Sequence, residues 1–132
     1  VKELAGRHPK RILVLPFQNQ SRMPAVYRVG DLFVLPSAYA ETWGLAVNEA
    51  LACGRPVLVS DRVGCAEDVL EPGRNGLVFE HDDWRDFGLK LRSADSLVGQ
   101  CGRAEISRSA RRFDIAETEN SLMTTLLRIS SQ

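Results

Sequence analysis

Residues 31–60 read DLFVLPSAYAETWGLAVNEALACGRPVLVS, and this stretch decides the fold. Short apolar runs stand at its two ends, Asp31–Pro36 and Pro56–Ser60. Neither run alternates cleanly between apolar and polar residues, so each is predicted to be a parallel strand buried on both faces. Between them, Gly44–Cys53 has apolar residues at helical spacing, and Gly54 is suited to end a helix in a left-handed turn. The stretch therefore predicts a strand–helix–strand unit.

The flanking sequence continues this alternation of apolar runs and helical stretches. Arg11–Pro16 and Leu77–Glu80 are predicted to be two further strands. Trp84–Ser93 repeats its apolar residues at helical spacing, and Asp83 is placed to cap that helix. The series predicts an α/β fold, a Rossmann-like, doubly wound parallel sheet with flanking helices, in a single domain over residues 1–132.

The composition argues against several classes of protein. The 132 residues include 17 basic and 17 acidic side chains, and a neutral chain is a poor candidate for wrapping duplex nucleic acid, whose binding requires neutralised phosphates. The three cysteines form no C-x-x-C pair, which argues against a zinc site and a disulfide framework and predicts a reducing, cytoplasmic location. No apolar run approaches the ~20 residues that span a bilayer. The chain begins with Val rather than Met, so we expect it to be a piece of a larger protein.

The loop and helix over residues 35–52 are predicted to form the ligand-binding site. Ligands of a βαβ fold lie at the carboxyl ends of its strands, and the amino end of a helix offers free N–H groups to an anion. Gly44 lacks a Cβ, so a phosphate can approach the backbone there. Glu41 precedes the helix, and Glu49 lies within it and leans back toward the amino end. Two carboxylates that flank an anion site suit a ligand with hydroxyl groups at both ends and phosphate in the middle. A nucleotide diphosphate sugar has this arrangement.

Three residues outside this pair allow two interpretations each. Trp43 is either a hydrophobic plug or a ligand contact. Cys65 lies in a Gly-Cys-Ala turn and is either a mildly reactive thiol that faces the ligand or an inert one. His81 is followed directly by two aspartates, but consecutive residues do not share one face of a helix or a strand, so we predict no metal site.

Four segments follow one another in a specific order: DLFVLPS from Asp31, ETWGLAVNEALACGRPV from Glu41, SDRVGCAEDV from Ser60 and RNGLVF from Arg74. This order resembles the C-terminal domain of retaining glycosyltransferases with two Rossmann-like domains, the GT-B group often called family four or group one. The pattern of that family is an Asp-led strand ending in PS, then E-x-F-G-x-x-x-x-E-A-x-A-x-G-x-P-V, a strand, a glycine-rich turn and an N-G turn. The tail, Arg111–Leu127, is similar to the helices that close the same domain.

The resemblance implies a role for each matching residue. Glu41 matches the first glutamate of the motif, which contacts the donor sugar and is the expected catalytic residue. Glu49 matches the second glutamate, which accepts hydrogen bonds from the ribose hydroxyls. The backbone amides that hold the diphosphate in the family match three consecutive residues: Trp43, Gly44 and Leu45. The family loop that meets the nucleotide base corresponds to Phe17 and Gln18, and the family usually has Phe at the position of Trp43.

The resemblance also implies what the intact protein would do. The chain is expected to be the donor-binding part of a hexosyl- or related glycosyltransferase in polysaccharide biosynthesis, truncated on its N-terminal side and inactive alone. The family's basic Arg and Lys pair and its acceptor-binding N-terminal domain have no match here. A saccharide or lipid-linked acceptor is expected, without cofactor, metal or nucleic acid, and peripheral membrane association of the intact enzyme is left open.

Other classes of protein remain as alternatives. A non-catalytic nucleotide-binding module of Rossmann-like fold would share the architecture, and so would a non-hydrolysing sugar epimerase. A nicotinamide-binding domain would need G-x-G-x-x-G directly after a strand, and the chain has no such motif.

Overall fold

The computed structural model describes residues 2–130, apart from several side chains of its last helix. Three parallel strands form a sheet in the order β1 (Phe33–Leu35), β2 (Val57–Ser60) and β3 (Gly76–Phe79). The helices are α1 (Lys2–Arg7), α2 (Met23–Val29), α3 (Leu45–Ala52), α4 (Ala66–Val69), α5 (Trp84–Gln100), α6 (Arg103–Ser109) and α7 (Ile115–Ser130), with a 3₁₀ turn at Ala110–Phe113. The predicted parallel sheet with flanking helices is confirmed.

The central strand explains why the core forms where it does. All four residues of β2 are buried, as expected for a strand with a neighbour on each side. Helix α3 buries Val47, Ala50 and Leu51 in the same core. That helix begins after Gly44 and ends before Gly54, and both glycines have positive φ angles, 97° and 72°. The strand–helix–strand unit predicted from residues 31–60 is therefore present, with the expected glycines at the two ends of the helix.

The strand predicted at Arg11–Pro16 is wrong. Residues 12–19 have no regular structure, and the side chains of Leu13, Val14 and Leu15 are exposed. The backbone N–H groups of Arg11 and Ile12 donate to the carbonyl of His8, which closes a turn after α1. An apolar run becomes a strand only where a neighbouring strand accepts its backbone hydrogen bonds, and β1 pairs only with β2 among the described residues.

The predicted helix after Asp83 is confirmed, but it is longer than the sequence pattern indicates. Helix α5 continues to Gln100 although the pattern ends at Ser93. The carboxylate of Asp83 accepts hydrogen bonds from the N–H groups of Arg85 and Asp86, at 2.8 and 3.1 Å. Among the helices of residues 2–130, none combines the length and apolar character that crossing a membrane requires.

Candidate active site

The loop after β1 is anchored through the backbone of Glu41. The N–H of Glu41 donates to the carbonyl of Arg62 at 2.9 Å, and the N–H of Gly64 donates to the carbonyl of Glu41 at 2.9 Å. These bonds make an isolated parallel bridge between Glu41 and Val63, beyond the carboxyl ends of β1 and β2. Glu41 is therefore held at the edge of the sheet where ligands of this fold class bind.

The side chain of Glu41 is oriented by two serines at the carboxyl ends of β1 and β2. The hydroxyl of Ser37 donates to Oε2 of Glu41 at 2.6 Å. The hydroxyl of Ser60, which is fully buried at the end of β2, donates to the carbonyl of Ser37 at 2.7 Å. A short O–H to carboxylate distance is typical of a charge-assisted hydrogen bond. The half-buried carboxylate of Glu41 is thus fixed to the core of the sheet through Ser37.

Gly44 brings this carboxylate next to the start of α3. The φ angle of Gly44 is 97°, and its carbonyl accepts the N–H of Val47 at 2.8 Å to form the first turn of the helix. A Cβ on Gly44 would lie 2.8 Å from Cγ1 of Val63 and 3.7 Å from the carboxyl carbon of Glu41. Gly44 is buried, and because it has no side chain its backbone packs closely against Val63 and the loop that carries Glu41. The positive end of the dipole of α3 lies beside this carboxylate.

The turn after β2 packs closely against the same loop. A Cβ on Gly64 would overlap the carbonyl oxygen of Thr42, so this position is restricted to glycine. The N–H of Cys65 donates to the carbonyl of Trp43 at 2.9 Å. The ring of Trp43 packs on the core and makes an edge-to-face contact with Phe113, with 6.3 Å between centroids. Of the two interpretations of Trp43, this packing favours the hydrophobic plug for the side chain.

Cys65 and His81 are also explained by their neighbours. Cys65 is fully buried, and this burial, followed by the negative charges of Glu41 and Asp68, raises its pKa to about 11. The interpretation of Cys65 as a reactive, ligand-facing thiol is therefore wrong. The ring of His81 lies 3.1 Å from Oδ1 of Asp61 and 3.0 Å from Nε of Arg62. Among the side chains that the structure describes, no cluster of three or more His, Cys, Asp or Glu residues could hold a metal.

Glu49 has a different environment from Glu41. Its Oε2 accepts a hydrogen bond of 2.8 Å from the hydroxyl of Tyr27, which is 8% exposed. Burial, together with the hydrogen bond to Glu49 and the charge of that residue, raises the pKa of Tyr27. Glu49 also lines a cavity of about 300 Å³ with Asn48 and with residues of the 3₁₀ turn such as Phe113, and Glu41 does not line that cavity.

The residues predicted for the site fall into three groups. Glu41, Trp43 and Gly44 lie together at the carboxyl edge of the sheet, and the side chain of Leu45 is exposed beside them at the start of α3. Glu49 lies on the same helix, in contact with α2. The third group, Phe17 and Gln18, lies in the irregular segment, where Phe17 is 93% exposed and the amide of Gln18 donates to the carbonyl of Pro16.

Sequence analysis missed four residues that support the two glutamates: Tyr27, Ser37, Ser60 and Gly64. Ser37 directly follows the predicted strand at residues 31–36, and Ser60 is the last residue of the predicted strand at residues 56–60. These positions mark polar groups at the ligand-binding edge of the sheet. Tyr27 lies 22 residues before Glu49, and no local pattern connects the two.

The sequence of this chain is similar to those of known proteins. The sequence pattern of the family described as glycosyl transferases group 1 matches residues 3–105. The D-inositol 3-phosphate glycosyltransferase of Rhodococcus jostii is 36% identical over 118 residues, covering 86% of this chain and 25% of that protein. The enzyme of the same name from Mycolicibacterium smegmatis is 32% identical over 123 residues, covering 92% of this chain and 27% of that protein. The chain thus spans about a quarter of the length of these curated relatives.

Two solved structures share the fold. Sucrose-phosphate synthase from Thermosynechococcus elongatus superposes with a TM-score of 0.69 at 24% identity, over 97% of this chain and 34% of that chain. The catalytic domain of starch synthase IV from Arabidopsis thaliana, bound to ADP and acarbose, superposes with a TM-score of 0.68 at 18% identity, over 98% of this chain and 29% of that chain. At these identities the likeness establishes a shared Rossmann-like architecture.

Proposed function

Because the chain belongs to the group 1 glycosyl transferases, we propose that it binds the nucleoside-diphosphate-sugar donor of a retaining sugar transfer. In this proposal residues 1–132 are one partial domain, the C-terminal donor-binding half of a two-domain cytoplasmic enzyme. The observation that carries the proposal is the position of Glu41, whose carboxylate is fixed by Ser37 beside Gly44 at the amino end of α3. That edge offers a hydrogen-bond acceptor for a sugar and backbone N–H groups for a diphosphate at one place.

The proposed roles follow the order of groups along the donor. Glu41 accepts hydrogen bonds from the sugar, and the carboxylate of Glu49 accepts them from the ribose hydroxyls. The diphosphate lies between the two glutamates, at the backbone amides of Trp43, Gly44 and Leu45. Phe17 and Gln18 are proposed to meet the base, and the exposure of Phe17 leaves its ring free to stack on it.

The chemistry that these groups support is departure of the diphosphate. The bond between the anomeric carbon and the phosphate oxygen breaks, and the electron pair leaves with the diphosphate. The acceptor hydroxyl oxygen forms the new bond to the same carbon, and its proton passes to the departing diphosphate. Backbone dipoles aimed at the departing charge stabilise it more in the transition state than in the bound donor. The dipole of α3, whose amino end lies beside the carboxylate of Glu41, would provide this stabilisation.

The acceptor is proposed to be a hydroxylated molecule brought by another domain. A saccharide or lipid-linked acceptor fits a role in polysaccharide biosynthesis. The names of the curated relatives add a phosphorylated polyol to this class, since they are called D-inositol 3-phosphate glycosyltransferases. Orientation of two substrates supplies up to ~7–11 kcal/mol of a barrier in favourable cases, so the chain alone is expected to be inactive.

Amide NMR spectra of the chain, titrated with uridine, guanosine and adenosine diphosphates, test the proposal. The expected result is a set of shifts that clusters on residues 41–49. The first turn of α5 is an internal control, because the side chain of Asp83 already accepts from the amides of Arg85 and Asp86. The matching nucleosides, which lack the diphosphate, should give weaker shifts at residues 43–45. Shifts that cluster outside residues 41–49, or saturating ligand without any shift, would contradict donor binding at this edge.

A further inference from the structure

The phenol of Tyr27 makes a contact that the proposed function does not yet use. Tyr27 lies on α2 and is 8% exposed, and its ring packs edge-to-face on Phe33 of β1 with 5.4 Å between centroids. Its hydroxyl donates to Oε2 of Glu49 at 2.8 Å. A buried hydroxyl needs a hydrogen-bond partner, and a carboxylate on the neighbouring helix satisfies it. The ring thus places one donor at a fixed point beside Glu49.

We propose that Tyr27 is a positioning residue for Glu49, which holds one carboxylate oxygen so that the other is presented to the ribose diol of a nucleoside diphosphate. This inference rests on the proposed function, because it takes the ribose as the ligand of Glu49. The carboxylate has lone pairs for several donors, so the Tyr27 hydrogen bond leaves acceptor sites for the ribose.

The physical reason is the flexibility of a glutamate side chain. A free Glu49 would sample many rotamers, and binding would have to restrict them at the expense of affinity. The hydrogen bond from Tyr27 restricts the carboxylate before the ligand arrives. The elements that carry the pair are themselves packed, because α2 contacts α3 and Tyr27 belongs to the hydrophobic core. The geometry is therefore set by the fold.

The test compares the chain with Tyr27→Phe, Glu49→Gln and the double variant by amide NMR titration. Uridine and guanosine diphosphates are the ligands, with the corresponding dideoxynucleoside diphosphates, which lack both ribose hydroxyls, as controls. Tyr27→Phe keeps the ring that packs on Phe33 and removes only the hydroxyl. Tyr39→Phe is the matched control, because Tyr39 is 87% exposed and loses the same hydroxyl from the surface.

The expected result is selective. Tyr27→Phe should weaken the ribonucleotides about three- to tenfold, as expected for loss of one hydrogen bond. It should leave the dideoxy analogues unchanged and add nothing in the Glu49→Gln background. Tyr39→Phe should bind like the parent chain. A merely structural tyrosine would weaken both classes of nucleotide equally.

Three outcomes would overturn the inference. Equal ribonucleotide affinity of Tyr27→Phe and the parent chain contradicts it while leaving the donor site intact. Equal losses for ribonucleotides and dideoxy analogues reduce Tyr27 to a packing residue. If the parent chain shows no nucleotide shifts at residues 41–49, the proposed function fails, and the positioning role fails with it.

Discussion

The hydroxyl of Ser37 donates to Oε2 of Glu41 at 2.6 Å, so the carboxylate of the loop is held by a side chain four residues before it. Ser37 is itself held from the core, because Ser60 donates to its backbone carbonyl. The arrangement links the ends of β1 and β2 to the residue that we propose contacts the donor sugar. The hydrogen bond from Ser60 uses the backbone carbonyl of residue 37, whereas the hydrogen bond to Glu41 uses its side chain. A substitution of Ser37 can therefore remove the second bond and keep the first.

Ser37→Ala should lower the preference for a sugar conjugate over the free nucleotide. The substitution removes the donor to Glu41 but keeps the backbone carbonyl that Ser60 uses. Loss of a hydrogen bond to a charged group costs about 1.5–3 kcal/mol, and we expect part of this in the affinity for the conjugate. Titration with a nucleotide and its sugar conjugate measures the effect. Ser93→Ala, which removes a serine hydroxyl on the exposed side of α5, should change neither affinity.

Gly44→Ala should destabilise the chain more than Gly73→Ala. Both glycines have positive φ angles, 97° and 78°, so alanine costs about 1–2 kcal/mol of backbone strain at either position. A Cβ at Gly44 would also lie 2.8 Å from Val63, whereas a Cβ at Gly73 would meet nothing within 4 Å. Urea unfolding of the two variants gives the comparison. Equal losses of stability would mean that the loop yields to the new side chain and that close packing at Gly44 has been overstated.

Much of the fold could be predicted from local sequence, but the support of the site could not. The strands at residues 31–36 and 56–60 and the glycines that bound α3 have clear local signals, and the structure confirms them. Arg11–Pro16 has the same apolar character as those strands, yet none of the strands that the structure describes pairs with it, so its composition predicted a strand wrongly. Tyr27 reaches Glu49 through tertiary packing of α2 on α3, which no periodicity reveals.

The phenol of Tyr27 should stay protonated above pH 10. Burial raises its pKa from the ordinary value of 10.0, and Glu49 adds to the shift through its hydrogen bond and its charge. Above pH 10 the unfolded chain loses this proton while the folded chain keeps it, so the stability that Tyr27 contributes should fall as pH rises. Ultraviolet titration of a Tyr39→Phe variant isolates Tyr27, because the chain has two tyrosines.

Glu49→Gln in that Tyr39→Phe background serves as the control for the cause of the shift. The pKa of Tyr27 should move down toward its ordinary value without reaching it, because burial remains. Titration of Tyr27 at its ordinary value in the parent background would contradict the buried Tyr27–Glu49 contact.

Cys65 should react with thiol reagents more slowly than Cys53 and Cys101. Its side chain is fully buried and its pKa is raised to about 11, whereas the other two cysteines are partly exposed. Since the thiolate is the reactive form, both burial and the raised pKa protect Cys65 near neutral pH. Mass spectrometry after brief alkylation of the folded chain orders the three sites. Early labelling of Cys65 would show that the turn after β2 opens far more readily than its packing against Trp43 and Gly44 indicates.

We propose that Glu49 binds the ribose and that Glu41 binds the sugar of the same donor. Glu49→Ala should weaken both a nucleoside diphosphate and its sugar conjugate by roughly ten- to a hundredfold, because a charged acceptor is lost. Glu41→Ala should leave the free nucleotide nearly unchanged and reduce only the gain from the sugar. Glu105→Ala, which removes a surface partner of Arg74, controls for loss of a carboxylate elsewhere.

Amide NMR titration of these three variants with uridine and guanosine diphosphates and their sugar conjugates measures the two roles separately. Glu49→Ala should lose affinity for all four ligands, and Glu41→Ala should lose it only for the two conjugates. Equal loss of free nucleotide in the Glu41 and Glu49 variants, or no loss in either, would show that the two glutamates do not bind the ribose and the sugar as proposed.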